Sequence, residues 1–278
     1  MEAARDSDRK ALTDVAETLF IPLYCRALET KSENPIIRDP KAVEIFERLG
    51  VDVPFQRKQL LVMIAVRTKA FDNCVRDFLS RASDGVVVNL GCGLDTRFTR
   101  LDNGTCQWYD LDFPEVIEIR KRFFEETDRH HSIASSVLDA EWMETLAEVH
   151  AGRPFLFLAE GLFMYLHGED VRSLVLRMRE TFPGAELAFE TVSAWGARVA
   201  ASRAGRRKFR RRFNFGKDAV FNWGMEDSHV PETWHPGIKL LDEWYYLRTK
   251  ERKWGWYRYL LRIPRFGSIM WIVHYRLN

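Results

Sequence analysis

An apolar, β-branched run, Val86-Val87-Val88-Asn89-Leu90, ends in Gly91-Cys92-Gly93-Leu94-Asp95-Thr96-Arg97. Roughly twenty residues later a second apolar run, Cys106 to Leu111, ends beside the carboxylate of Asp112. Glycines at a strand end let the backbone turn tightly and pass close under a ligand. An acid at the tip of the neighbouring strand can accept both hydroxyl protons of a ribose. Together these features lay out a site for a nucleotide-like cofactor. The pattern is G-x-G-x-D rather than G-x-G-x-x-G. Thr96 stands where a dinucleotide site has its third glycine, and Asp95 puts negative charge at a helix start, where it repels phosphate. A cofactor with a ribose and no phosphate suits this better, and S-adenosylmethionine is the common one. Asp110, two residues before Asp112 on the same strand face, is the rival ribose acceptor.

Other side chains carry chemical potential of their own. Glu160 ends the apolar run Phe155 to Ala159, where a carboxylate is costly without a partner. A cationic ammonium or sulfonium would supply one, and a helix cap is the plainer alternative. Arg67 follows the apolar helical stretch Leu61 to Val66; its alternatives are a ligand carboxylate or a structural ion pair with Asp72 or Glu160. Tyr165 either lines the reaction face or packs in the core. The run Arg203 to Arg212 is densely basic, which reads as a solvated face or as a lid for an anionic acceptor or an acidic carrier protein. Trp223, Trp234, His235, Trp244, Tyr245 and Tyr246 can wall an apolar pocket, and His229 and His235 are its only histidine candidates. His130-His131 reads as an exposed loop pair without a role.

These residues need a scaffold. The chain has 278 residues, 46% hydrophobic and 29% charged, enough for one α/β domain with additions. A net charge of +2 gives no reason to expect nucleic acid as a partner. Four scattered cysteines, without Cys-x-x-Cys or a Cys/His cluster, predict no zinc site and no other metal. The polar start, Met1 to Lys10, is no signal peptide and no apolar run can span a bilayer, so a cytoplasmic protein with no membrane partner is expected. Helices are predicted over 11–28, 40–49 and 60–80, with Asp39 capping and Pro40 in the first turn of the second. Strands at 86–90, 106–111, 132–137, 154–160 and 185–192 then alternate with helices near 95–102, 114–126, 140–149 and 169–182, the last stopped by Pro183-Gly184. Late apolar runs at 244–249 and 269–276 predict two closing strands. Such alternation implies a parallel sheet covered on both faces, with ligands beyond the carboxyl ends of its strands. Gly91, Asp112, Val137 and Glu160 all fall there.

Asn89 to Arg97 resembles the first motif of leucine carboxyl methyltransferases, most closely their bacterial relatives of the tetracenomycin polyketide O-methyltransferase type. Trp108 to Ile117 resembles the ribose-binding strand and turn of that family, and Ser136 to Asp139 with Trp142 its D-x-x-W segment. Ala159 to Leu166 resembles the segment after its fourth strand, and Val66-Arg67-Thr68 with Phe71-Asp72 its R-T-x-x-F-D helix. The likeness runs from about Glu17 to the C-terminus; Cys92 stands where the family often has alanine.

The resemblance implies a Rossmann-like class I methyltransferase. Its seven-stranded, mostly parallel sheet would carry helices on both faces, an N-terminal helical lid and an insertion before the last two strands. Within one domain that gives a helical cap at 1–84, a cofactor-binding core at 85–192, a substrate cap at 193–243 and closing strands at 244–278. It implies that Gly91 and Gly93 pass under S-adenosylmethionine, Asp112 holds its ribose, Ser136 and Val137 flank its adenine, and Arg67 meets its carboxylate, with Glu160 near its cationic end. Tyr165 and His235 are the candidates at the transfer site. The expected reaction is O-methylation of a small-molecule carboxylate or hydroxyl in polyketide-type or other secondary metabolism. The alternatives are a carboxyl methyltransferase of a protein or peptide terminus and a non-catalytic cofactor-binding interaction protein.

Overall fold

The computed structural model describes residues 19–50, 58–203, 205 and 221–278. The predicted start of the first helix and the basic run from Arg206 to Arg212 lie outside them. Three helices come first: α1 (Phe20–Thr30), α2 (Pro40–Leu49) and α3 (Lys58–Arg81). Asp39 caps α2 by accepting from the Ala42 amide at 3.0 Å, and Pro40 occupies its first turn.

Alternation follows through β1 (Val86–Leu90), α4 (Arg97–Leu101), β2 (Gln107–Asp112), α5 (Pro114–Arg120), β3 (His130–Ala134), α6 (Glu141–Val149), β4 (Phe155–Ala159), α7 (Gly168–Thr181) and β5 (Ala185–Val192). A short helix α8 (Ala194–Ala201) leads away, and β6 (Ile238–Trp244) and β7 (Met270–Leu277) close the sheet. The order is β3-β2-β1-β4-β5-β7-β6, parallel through β5 and antiparallel for the last two strands. β1, β4 and β5 are buried along their whole length, which explains their continuous apolar runs. Alternate residues supply two cores. Val86, Val88, Leu90, Phe155, Phe157 and Phe189 face α6 and α7, while Val87, Leu156, Leu158 and Ala188 face α3.

Three expectations need correction. β6 runs from Ile238 to Trp244, not over 244–249, so it lies inside the stretch read as a substrate cap. As an edge strand it is largely exposed, so its sequence lacks the apolar run that marks an inner strand. The run at 244–249 instead ends β6 and turns through a 3₁₀ segment, Tyr246–Arg248. β3 begins at His130, so the two histidines are strand residues. His130 is buried, with its Nε2 2.7 Å from Asp110 Oδ2. The mixed polar sequence of this other edge strand hid it in the same way. Finally, the helix expected over 114–126 ends at Arg120.

Candidate functional site

Strand order reverses between β1 and β4, and the gap this leaves at their carboxyl ends is where an open α/β sheet admits a ligand. A cavity of about 350 Å³ occupies that place, within the range of small-molecule pockets. Its floor is Asn89 and the turn Gly91 to Asp95 from β1, with Glu160 and Gly161 from β4. α3 contributes Met63, Ile64 and Arg67, and α1 contributes Ile21, Pro22 and Arg26. Met164, Tyr165, Phe221 and Met270 close the far side. Gly91 (φ +61°) and Gly93 (φ +50°) are both left-handed, a conformation side chains rarely take. A Cβ on Gly91 would also come within 2.9 Å of Leu162.

The cavity therefore gathers Arg67, Gly91, Gly93, Glu160 and Tyr165. Asp112 stands beside it at the tip of β2, where its Oδ2 accepts from the Gly93 amide at 2.7 Å and its Oδ1 from the Phe113 amide at 2.8 Å. Burial raises its pKa, and the two amides only partly offset that. No arginine forms an ion pair with Asp112 among the described residues, so lone pairs remain for an incoming hydroxyl. Asp110 has no such capacity. It is fully enclosed, bonded by Arg120, His130, Asn89 and Trp108, and although burial alone would raise its pKa, Arg120 and His130 hold it low. The two acids thus differ in what already surrounds each: Asp110 is saturated, Asp112 is not.

Ser136 and Val137 lie beyond the end of β3. Ser136 is half-buried, with its amide donating to Asp139 at 3.0 Å. The Val137 side chain packs into the core beside Leu111 and Trp142, so only its backbone could meet a ligand. His235 is not brought to the cavity. It precedes β6, whose Ile238 pairs with Leu277, which pairs in turn with Ala185 at the amino end of β5. Its place is thus at the opposite end of the sheet, where its Nδ1 accepts from Gly237. The expected aromatic wall of the cap is also absent from the cavity. Trp223 packs on Phe189, Trp244 on His274 and Tyr245 on Trp271, because the closing strands absorb them.

Beneath the cavity lies a buried charge network that sequence reasoning caught only in part. Arg67 donates from Nε to Glu160 (2.8 Å) and from one terminal nitrogen to Glu190 (3.0 Å) on β5. Arg97 bridges Glu160 (2.5 Å), Asp72 (2.8 Å) and Asp95. Arg100 joins Asp72 and Asp39, Arg26 joins Asp39, and Arg120 joins Asp110. Of the two structural partners considered for Arg67, Glu160 is realised, while Asp72 pairs with Arg97 and Arg100 instead. Burial would raise Asp95, but Arg97 and its neighbours override it and hold the carboxyl well below the usual range. Glu190 goes the other way: burial raises it despite Arg67 and a hydrogen bond from Tyr246. Five guanidinium groups (Arg26, Arg67, Arg97, Arg100, Arg120) face seven carboxylates (Asp39, Asp72, Asp95, Asp110, Asp112, Glu160, Glu190). Carboxyl groups thus outnumber guanidinium groups in this network, a balance suited to a cationic ligand. Glu190 carried the signal that had flagged Glu160, a carboxylate inside an apolar strand run. Arg97 and Arg100 gave none, since arginines on a short helix normally face water.

Comparison with known proteins agrees with this geometry. The family model of leucine carboxyl methyltransferase matches residues 20–179. A tetracenomycin polyketide synthesis O-methyltransferase of Streptomyces glaucescens is 33% identical, covering 84% of this chain and 83% of its own. An S-adenosyl-L-methionine-dependent methyltransferase of Gibberella zeae is 27% identical over 95% and 94% of the two chains. Among solved structures, a methyltransferase of Thermobifida fusca superposes with a TM-score of 0.55 at 16% identity, covering 86% of this chain and 87% of its own, which bears on the fold alone. The chain belongs to the leucine carboxyl methyltransferase family and is an S-adenosylmethionine-dependent methyltransferase.

Proposed function

We propose that this enzyme methylates an anionic oxygen, a carboxylate or an acidic phenol, on a small apolar molecule of polyketide-like character. S-adenosylmethionine supplies a methyl group already activated on a cationic sulfur, so the protein's task is geometry and exclusion of water. The residues fit that cofactor. Asp112 offers a carboxylate without an ion-pair partner at ribose height, Gly91 and Gly93 remove side chains from the path of its backbone contacts, and the acid excess suits its cationic end. Arg67 keeps a terminal nitrogen that Glu160 and Glu190 do not use, suited to the cofactor carboxylate. The backbone around Ser136 and Val137 serves the adenine. Tyr165, Phe221 and Met270 flank the acceptor side, with α1 and α3 as its cover.

The observation that carries the acceptor class is the absence of a usable base among the described residues lining the cavity. Glu160 and Asp95 are each tied to arginine. Tyr165 is pushed up to about 12 by burial and the nearby Glu190, and burial pushes the Cys92 thiol well above its usual range. These residues offer no ready acceptor for the proton of a neutral hydroxyl, which favours a substrate that arrives ionised. The name of the Streptomyces relative supports an oxygen acceptor in polyketide chemistry. The test is transfer of labelled methyl to paired aromatic acids and phenols, followed by mild base. The expected product is a base-labile ester or an ether of an acidic phenol, with a rate on carboxylates that stays flat with pH above roughly 5, past the ordinary carboxyl pKa. A rate on a carboxylate that climbs through neutrality would reveal a protein base and contradict the reading.

A further inference from the structure

After Glu251 the chain contains no acidic residue, although the whole sequence is nearly balanced at 42 basic and 40 acidic. Five of the basic residues fall within 252–266: Arg252, Lys253, Arg258, Arg262 and Arg265. The same stretch exposes an unusual set of large apolar groups: Trp256 (66% exposed), Tyr259 (56%), Ile263 (48%) and Phe266 (39%). It folds as two single-turn helices, α9 (Tyr257–Leu260) and α10 (Pro264–Gly267). Its inner side is pinned by Trp254, which is buried, and by Leu261, which packs on the core under α3. The outward display is therefore held in place. Lys253 is committed inward, donating to Glu29 of α1 at 2.6 Å, whereas Arg252, Arg258 and Arg262 are exposed. Arg258 and Arg262 both lie over the Tyr259 ring, 4.8 and 5.5 Å from its centroid, so cations and aromatic groups share one surface.

We infer that this face docks on an anionic lipid surface. Trp and Tyr rings with aliphatic neighbours and arginines, on a segment that carries no acid of its own, match what settles at a headgroup boundary. A second copy of the chain is a poor occupant, since a two-fold contact would set this patch against itself, arginine against arginine. An acidic protein would satisfy the charge but gives no reason to keep a tryptophan two-thirds exposed. The inference departs from the expectation of no membrane partner. That expectation concerned spanning segments, and no helix among the described residues is long and apolar enough to cross a bilayer. Along the chain the patch leads toward the cavity. Met270, four residues past Phe266, lines it, and the α1 helix that Lys253 grips contributes Ile21 and Pro22 to its wall. The inference does not depend on which oxygen is methylated.

The test is sedimentation of the full chain with vesicles of phosphatidylcholine alone and of phosphatidylcholine mixed with phosphatidylglycerol. The chain is expected to sediment with the mixed vesicles only, to be released by salt, and to lose at least about tenfold in partitioning in R258E/R262E, since each basic residue near such a surface contributes roughly fivefold. R258Q/R262Q should fall between. A blue shift of tryptophan emission on binding should disappear in W256F. S-adenosylhomocysteine binding should be unchanged in every variant, which separates this result from a failure of the cofactor site. Absence of sedimentation with mixed vesicles overturns the inference, as does equal sedimentation with neutral ones or an unaffected R258E/R262E. Self-association abolished by these substitutions, or capture of an acidic carrier protein without vesicle binding, overturns it in favour of that partner.

Discussion

At the scale of single residues, the difference between Asp110 and Asp112 shows how neighbours assign roles to identical side chains. Both lie on one strand face two positions apart, yet Asp110 is saturated by Arg120 and His130 while Asp112 meets only backbone amides. Asp112→Asn should weaken S-adenosylhomocysteine binding by about tenfold to a hundredfold, the worth of one or two hydrogen bonds to a charged group; titration calorimetry reads this directly. Because burial raises the Asp112 pKa above its ordinary 3.8, the carboxylate gains its proton early on acidification. Affinity should therefore fall as pH drops through that raised value, and the fall should vanish in Asp112→Asn. The place of Asp112 was legible because its cue was positional, an acid at a strand tip opposite a glycine turn. His130 was misread, because its role depends on a partner on the adjacent strand and leaves no local mark.

At the scale of elements, the turn after β1 and the strand β5 do different work. The turn needs two left-handed residues, and Gly91→Ala should cost about 1–2 kcal/mol in backbone strain, besides displacing Leu162. Thermal unfolding should register it as a lowered midpoint. β5 acts as a post: its Glu190 holds Arg67 of α3 from below, and Tyr246, just past β6, holds Glu190. Glu190→Gln loosens Arg67 without touching the ribose end. It should reduce affinity for S-adenosylhomocysteine severalfold while leaving affinity for adenosine nearly unchanged. Equal losses for both ligands would remove the link between Arg67 and the amino-acid end. The buried strands were readable because full burial writes a continuous apolar run. β3 and β6 were misplaced because edge strands carry mixed sequence, and the true place of β6 sets His235 at the amino end of β5, away from the cavity.

For the whole molecule, two ion-pair clusters among the described residues sit at opposite ends of the sheet. The second centres on Glu186 near the start of β5, bonded by Arg81 (2.8 Å) and Arg276 (2.6 Å) and paired with His274 (2.9 Å). Burial would raise its carboxyl, but His274 and Arg81 bring it down to about 2 from an ordinary 4.5. A depressed carboxylate stabilises the fold fully above its unfolded value and loses that contribution as pH falls through the folded one. Wild type should thus exceed Glu186→Gln by about 2 kcal/mol near neutrality, discounted for half-exposed partners, and the gap should close between about pH 4.5 and 2. Chemical unfolding across that range checks it. The order of helices and inner strands was legible as a periodic pattern, whereas each cluster includes a pair more than ninety positions apart, Arg67 with Glu160 and Glu190 in one and Arg81 with Glu186 in the other, that only the sheet's crossovers bring together.

The central claim is that adenosine lies across the tips of β1 and β2, with its sugar on Asp112 and its sulfur end in the cavity above Glu160. A crystal structure of the protein bound to S-adenosylhomocysteine measures this directly. Both ribose hydroxyls within hydrogen-bond reach of the Asp112 carboxylate, and the amino-acid carboxylate beside Arg67, are the expected result. A nucleoside seated elsewhere, or one that leaves Asp112 bonded only to its two amides, would contradict the account.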